Sequence, residues 1–143
     1  MKLHNLMLAI PLLAGAVPAF AATTTPVINI RLDHGSVWKA TGKQKATEGF
    51  IQIHNDGDTD DTLTAWTCPN AEDTVLMGKD GKPLSELTIP AKQTVTLAPG
   101  GIFLDLKDLH YPVERGSIIP CSFTFKQAGL LGGFLNEVKR PKT

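Results

Sequence analysis

The chain has 143 residues, with 14 Lys and Arg against 14 Asp and Glu, so its formal net charge is zero. The length suits one domain with a core of its own. The charge balance makes no electrostatic case for nucleic acid or an anionic membrane as partner.

The N-terminus opens with Lys2, runs through apolar residues from Leu6 to Val17, and reaches Ala19-Phe20-Ala21. A basic start, a short apolar stretch and small residues before a cleavage point describe a secretory signal peptide over residues 1–21. The alternative is an uncleaved N-terminal anchor. The apolar stretch is too short for a stable transmembrane helix, and no later segment is long enough, so no membrane span is expected after cleavage. Residues 22–143 then form a single exported domain of near-neutral charge. Both cysteines, Cys68 and Cys121, lie in this part. In an exported chain two thiols favour a disulfide, with a Cys-based copper or redox site as the alternative. Closing a loop of roughly 50 residues would stabilise the fold by about 4 kcal/mol in the chain-entropy model.

Along the chain, short runs rich in Val, Ile, Thr and Phe alternate with clusters of Gly, Pro, Asn and Asp. Strands are expected at Val27–Leu32, Glu48–His54, Thr62–Cys68 and Asp73–Met77. Polar loops follow at Asn55–Asp61 and Gly78–Pro83. Thr94–Leu97 and Ile102–Leu106 flank Ala98-Pro99-Gly100-Gly101, which reads as a hairpin. Ser117–Lys126 is a strand interrupted by Pro120, which predicts an edge or a bulge there. Gly133–Val138 closes the series before a loose "KRPKT" tail. Eight or nine short strands at this spacing predict an all-β fold, an antiparallel β-sandwich of cupredoxin- or immunoglobulin-like type.

The order of motifs carries a resemblance. "VWKAT" (Val37–Thr41) precedes "TEGFIQIHNDGDTDDTL" (Thr47–Leu63) and Cys68-Pro69. Then come "LTIPAKQTVTLAPGGIFLDLKDL" (Leu87–Leu109) and "VERGSIIPCSFTFKQAG" (Val113–Gly129). From about Val37 to Gly129 the sequence resembles the PCu(A)C family of periplasmic copper chaperones. The resemblance implies a cupredoxin-like sandwich in the periplasm that handles copper. It also implies a His-x-Met pair on the strand after the Pro-Gly-Gly turn, with a further His and Met from upstream. Thioether and imidazole donors suit Cu(I), a soft ion, and the i, i+2 spacing puts a ligand pair on one strand face.

At the positions matching that pair this chain carries Phe103 and Asp105. Phenylalanine has no donor atom, and a carboxylate is a hard ligand. The resemblance sets Met77 at the family's first-ligand position, and Met77 is the only methionine of residues 22–143. Copper is thus implied by the family and not supplied for by the residues. Weak metal candidates are Met77, His110 and His34. His110 lies just past the strand of Phe103 and Asp105, where it would reach the mouth of the old site. His34, beside Asp33, would join His110 if the first strand folds near that end. His54, before a solvated loop, reads as a turn-flanking polar residue. Asp56, Asp58, Asp60 and Asp61 lack the terminal Glu of a calcium loop and read as a solvated hairpin loop. Trp38 and Trp66 read as sheet-packing residues.

No enzyme is expected. Ser36, Ser85 and Ser117 sit in no nucleophile-elbow pattern, and no phosphate loop or metal-hydrolase motif occurs. Two readings of function follow. One is an exported PCu(A)C-type copper chaperone-like protein, degenerate in its Cu(I) site. The other is a metal-free periplasmic protein-interaction module on the same scaffold, meeting its partner through an exposed Phe103 and Lys107.

Overall fold

The computed structural model describes residue 11 and residues 14–142. Most of the apolar run of the signal peptide read at residues 1–21 lies outside the described residues. Nine strands follow: β1 Ile30–Trp38, β2 Ala46–Asn55, β3 Asp61–Thr67, β4 Ala71–Met77, β5 Leu87–Ile89, β6 Thr94–Thr96, β7 Phe103–Leu109, β8 Ile118–Phe125 and β9 Gly129–Val138. They hydrogen-bond in the order β4-β7-β2-β1-β9-β8-β3-β5, with β6 also on β2. The sheet curls around one core of alternate residues: Ile51 and Ile53 on β2, Leu104 and Leu106 on β7, Phe123 and Phe125 on β8, and Leu135 on β9. No helix among the described residues is long and apolar enough to cross a membrane.

The period-2 pattern places most strands, as a half-buried strand must. Apart from β9, which starts at Gly129 rather than at the expected Gly133, four details differ from the sequence expectation. β1 starts later and runs on to Trp38, because a bulge between Asp33 and Ser36 absorbs the turn-like Asp-His-Gly. His34 takes φ 51° there, and the alternation resumes beyond it. β5, with 3 residues, is too short to show a period. β1 and β9 pair in parallel, so the sheet is mixed rather than purely antiparallel.

The fourth is the turn at Ala98–Gly101, which is not a hairpin between paired strands. β6 and β7 both pair with β2, on successive stretches: Thr94–Thr96 against Gln52–His54, and Leu104–Lys107 against Ala46–Gly49. The Leu97 N–H continues the ladder to the Ile51 carbonyl at 3.0 Å. Residues 98–102 loop out between, closed by the Ala98 N–H on the Ile102 carbonyl at 2.9 Å. Leu97 and Leu104 are both buried, so the chain must return to the same edge of β2 after the excursion. Gly100, at φ 77°, supplies the left-handed residue it needs.

β8 tolerates Pro120 because its pairing with β3 starts only at Ser122. Cys68 and Cys121 are joined, with an S–S distance of 2.09 Å, and both are buried. Gly133 faces the core; a Cβ there would come within 2.9 Å of the Ile51 and Phe123 side chains, so any other residue must displace their ends.

Candidate functional site

The strand after the Pro-Gly-Gly turn is β7, which lies between β4 and β2. Leu104 and Leu106 point into the core, so Phe103, Asp105 and Lys107 share the outer face. Register then assembles their neighbours. Met77 is the direct partner of Phe103, and Val75 of Asp105. On the other side Glu48 stands opposite Asp105. Met77 and Phe103 are therefore directly opposed, about 5 Å apart, with Asp105 two residues along the same face.

The donor chemistry of this face does not fit Cu(I). It offers one thioether, Met77, and two carboxylates, Asp105 and Glu48, beside a phenyl ring without a donor. The Asp105 carboxylate is also engaged by Lys107 Nζ at 3.8 Å. Phe103 is half-buried, not the exposed anchor a docking surface would need. Among the described residues no three His, Cys, Asp or Glu side chains are grouped so as to hold a metal ion.

The other candidates lie apart. His34 sits by the bulge where β1 pairs the Gln52 end of β2, and His110 follows β7 at the Ala46 end. Six residues of strand separate those ends, or about 20 Å. His110 is likewise at the far end of β7 from Phe103, so it does not reach the ligand face. Its Nε2 faces Glu72 at 3.4 Å in the open.

His34 and His54 converge instead on Asp33, a grouping the sequence did not reveal. His34 Nδ1 lies 2.8 Å and His54 Nε2 2.7 Å from Asp33 Oδ1. Arg31 Nη1 donates to Oδ2 at 3.2 Å and its Nε to Asp56 at 2.9 Å. Thr94 Oγ1 holds the other nitrogen of His54 at 2.8 Å. The contact with His34, then that with His54, holds the Asp33 carboxyl down at about 2. With both carboxylate oxygens taken and a guanidinium alongside, this cluster ties β1, β2 and β6 together.

The acidic loop also has structural work. Asp58 accepts the Val27 N–H and Asp60 the Ala91 N–H, each at 2.9 Å. Asp61 is buried and accepts three backbone N–H groups, from Thr62 at 2.8 Å and from Gln127 and Ala128 at 2.9 Å. The β8–β9 turn, through Gln127 and Ala128, is thereby anchored to β3. The tryptophans pack on the sheet: Trp38 meets Phe50 edge-on at 5.0 Å under the Arg140 guanidinium, and the Trp66 indole N–H donates to the Thr74 carbonyl at 3.0 Å.

This all-β, mixed, curled sheet matches the fold of PCuAC domains. The chain is similar to the apo PCuAC domain from PmoF1, at 24% identity and TM-score 0.72 over 81% of this chain and 100% of that one. It is similar to the copper-bound PCuAC domain from PmoF2, at 18% identity and TM-score 0.70 over 82% and 100%. The Cu(I) form of DR1885 from Deinococcus radiodurans matches at 23% identity and TM-score 0.65 over 85% and 84%. Comparison with curated proteins finds no match. Residues 30–131 match the family model described as "Putative lipoprotein LpqE-like", and the chain belongs to the LpqE-like family.

Proposed function

We propose that the chain is an exported, periplasmic, non-enzymatic PCuAC-type protein of the copper-handling group, degenerate in its Cu(I) site. The observation that carries this reading is the outer face of β7, where Phe103 and Asp105 stand beside Met77 on an otherwise matching scaffold. Residues 1–21 act as its signal peptide, and residues 22–143 form the exported domain. The buried Cys68–Cys121 bond supports folding in an oxidising compartment. Copper is at most a weakly held cargo at this face, since one thioether and hard carboxylates cannot make a soft three-donor set. The second reading, a metal-free interaction module, draws support from the same donor chemistry, with its partner surface away from the half-buried Phe103.

The test is metal content in the compartment of export. Protein recovered from copper-supplemented cells under anaerobic conditions is expected to carry no stoichiometric copper. One copper per chain, lost on Met77→Ala, would defeat the degenerate-site reading.

A further inference from the structure

An open face of a sheet ordinarily alternates apolar residues inward with polar and charged residues outward. The outer face of β4, β7 and β2 follows that rule, with Asp73, Lys107, Asp105 and Glu48. The outer face of β8 and β9 does not. β8 turns Ile118, Pro120 and Ser122 outward, and β9 turns Leu130, Gly132 and Phe134 outward. No outward position of either strand carries a charge, although 20% of the whole chain is charged. Leu130 is 69%, Phe134 62% and Ile118 59% exposed. Pairing places Pro120 directly beside Phe134 and Ser122 beside Gly132. Tyr111, 73% exposed, extends the strip past Ile118 along a groove floored by Pro69 and Pro112. Contiguous exposed apolar surface of this kind marks an interaction site, and interface centres are poor in charge and rich in aromatic residues.

We infer that this face is a two-fold interface with a second copy of the same chain. Three observations select that occupant. A face without charge meets its own copy with no like-charge repulsion, which a basic or acidic face could not do. Its relief is self-complementary. Phe134 and Leu130 stand proud on either side of Gly132, above which nothing lies within 4 Å of a built Cβ. A two-fold axis in the plane of the face, crossing β9 between Gly132 and Phe134, sets each phenyl ring over the other copy's glycine. The extent suits a weak, concentration-dependent pair. β8 and β9, with 8 and 10 residues, project roughly 300 Å², and the Tyr111 strip adds to it, which is the size range of transient rather than obligate interfaces. The inference does not depend on any copper role, because the β7 face lies elsewhere on the sheet.

The test is sedimentation velocity of the protein as secreted, from low micromolar to sub-millimolar concentration, with the variants Phe134→Lys and Gly132→Lys. Gly132 has an ordinary backbone angle and open space above it, so a side chain there fits the single chain and obstructs only a partner. The wild type is expected to dimerise with rising concentration, and each variant to weaken dimerisation by about tenfold or more, as loss of a central aromatic contact does. At a concentration where the wild type is monomeric, the Gly132→Lys melting temperature should match it. A wild type that stays monomeric throughout overturns the inference, as does a dimer that Gly132→Lys leaves intact. Binding of monomer to neutral phosphatidylcholine vesicles, abolished by Gly132→Lys, would give the face to lipid instead and overturn it too.

Discussion

Met77 on β4 and Phe103 on β7 are directly opposed residues of one antiparallel pair, and Asp105 lies two residues along the same face. That relationship makes positions 103 and 105 accessible to a graft. The double change Phe103→His, Asp105→Met would put one imidazole and one thioether beside the Met77 thioether, a soft three-donor set. Cu(I) affinity should rise by orders of magnitude over the wild type in competition with a chelator. Because Phe103 is half-buried, the graft should cost about 1–2 kcal/mol of stability. An intact fold with no gain in Cu(I) affinity would show that Met77 is not placed to act as the third donor.

The Cys68–Cys121 bond ties the end of β3 to β8 in the buried interior. Replacing both cysteines by serine should destabilise the protein by about 2–5 kcal/mol in a denaturant titration, as loss of a native disulfide does in small secreted domains. A loss below about 1 kcal/mol would mean that the cross-link adds little to what the sheet already secures.

Asp61 closes the acidic loop by taking three backbone N–H groups into a buried carboxylate. Asp61→Ala leaves those donors without a partner and should cost about 3 kcal/mol or more. Asp58→Ala, which frees a single N–H on an exposed segment, should cost well under half as much. Equal losses for the two variants would contradict the assignment of Asp61 as the anchor.

Asp33 keeps its charge in the folded chain down to about 2, against an ordinary 3.8, through His34 first and His54 second. A carboxyl held low in this way contributes stability above its unfolded pKa and loses it as pH falls through the folded value. Asp33→Asn should therefore melt lower than the wild type above about pH 4, with the gap closing towards pH 2. Melting temperatures of the two proteins across that window check it. A gap that does not change with pH would show that the carboxylate charge plays no part.

Most of the sheet was legible because its strands obey the period of two: Leu104 and Leu106 inward, Phe103 and Asp105 outward, follow from alternation alone. What alternation cannot supply is which strands meet. The Pro-Gly-Gly turn looked like a hairpin because its residues favour a tight reversal, yet both flanking strands serve one edge of β2. Likewise the sequence lets His34 join His110 if the first strand folds near that end. Only the register separates them and brings His54 to Asp33 beside His34. Asp61 and Asp58 belong to one acidic run, and nothing local distinguishes the buried anchor from its exposed neighbour. The uncharged outer face of β8 and β9 is present in "IIPCSFTF" and "LLGGFLN" as alternation without charges, a signal that acquires meaning once pairing puts Pro120 beside Phe134.

The central claim is a PCuAC scaffold without a tight Cu(I) site, and its most direct test is anaerobic Cu(I) competition of the disulfide-bonded wild-type protein against a high-affinity chelator. With Met77 as the sole thioether and both cysteines cross-linked, the protein should leave the copper on the chelator. Retention of one Cu(I) per chain with nanomolar or tighter affinity would contradict the claim, and retention that survives Met77→Ala would put the site somewhere other than the β4–β7 face.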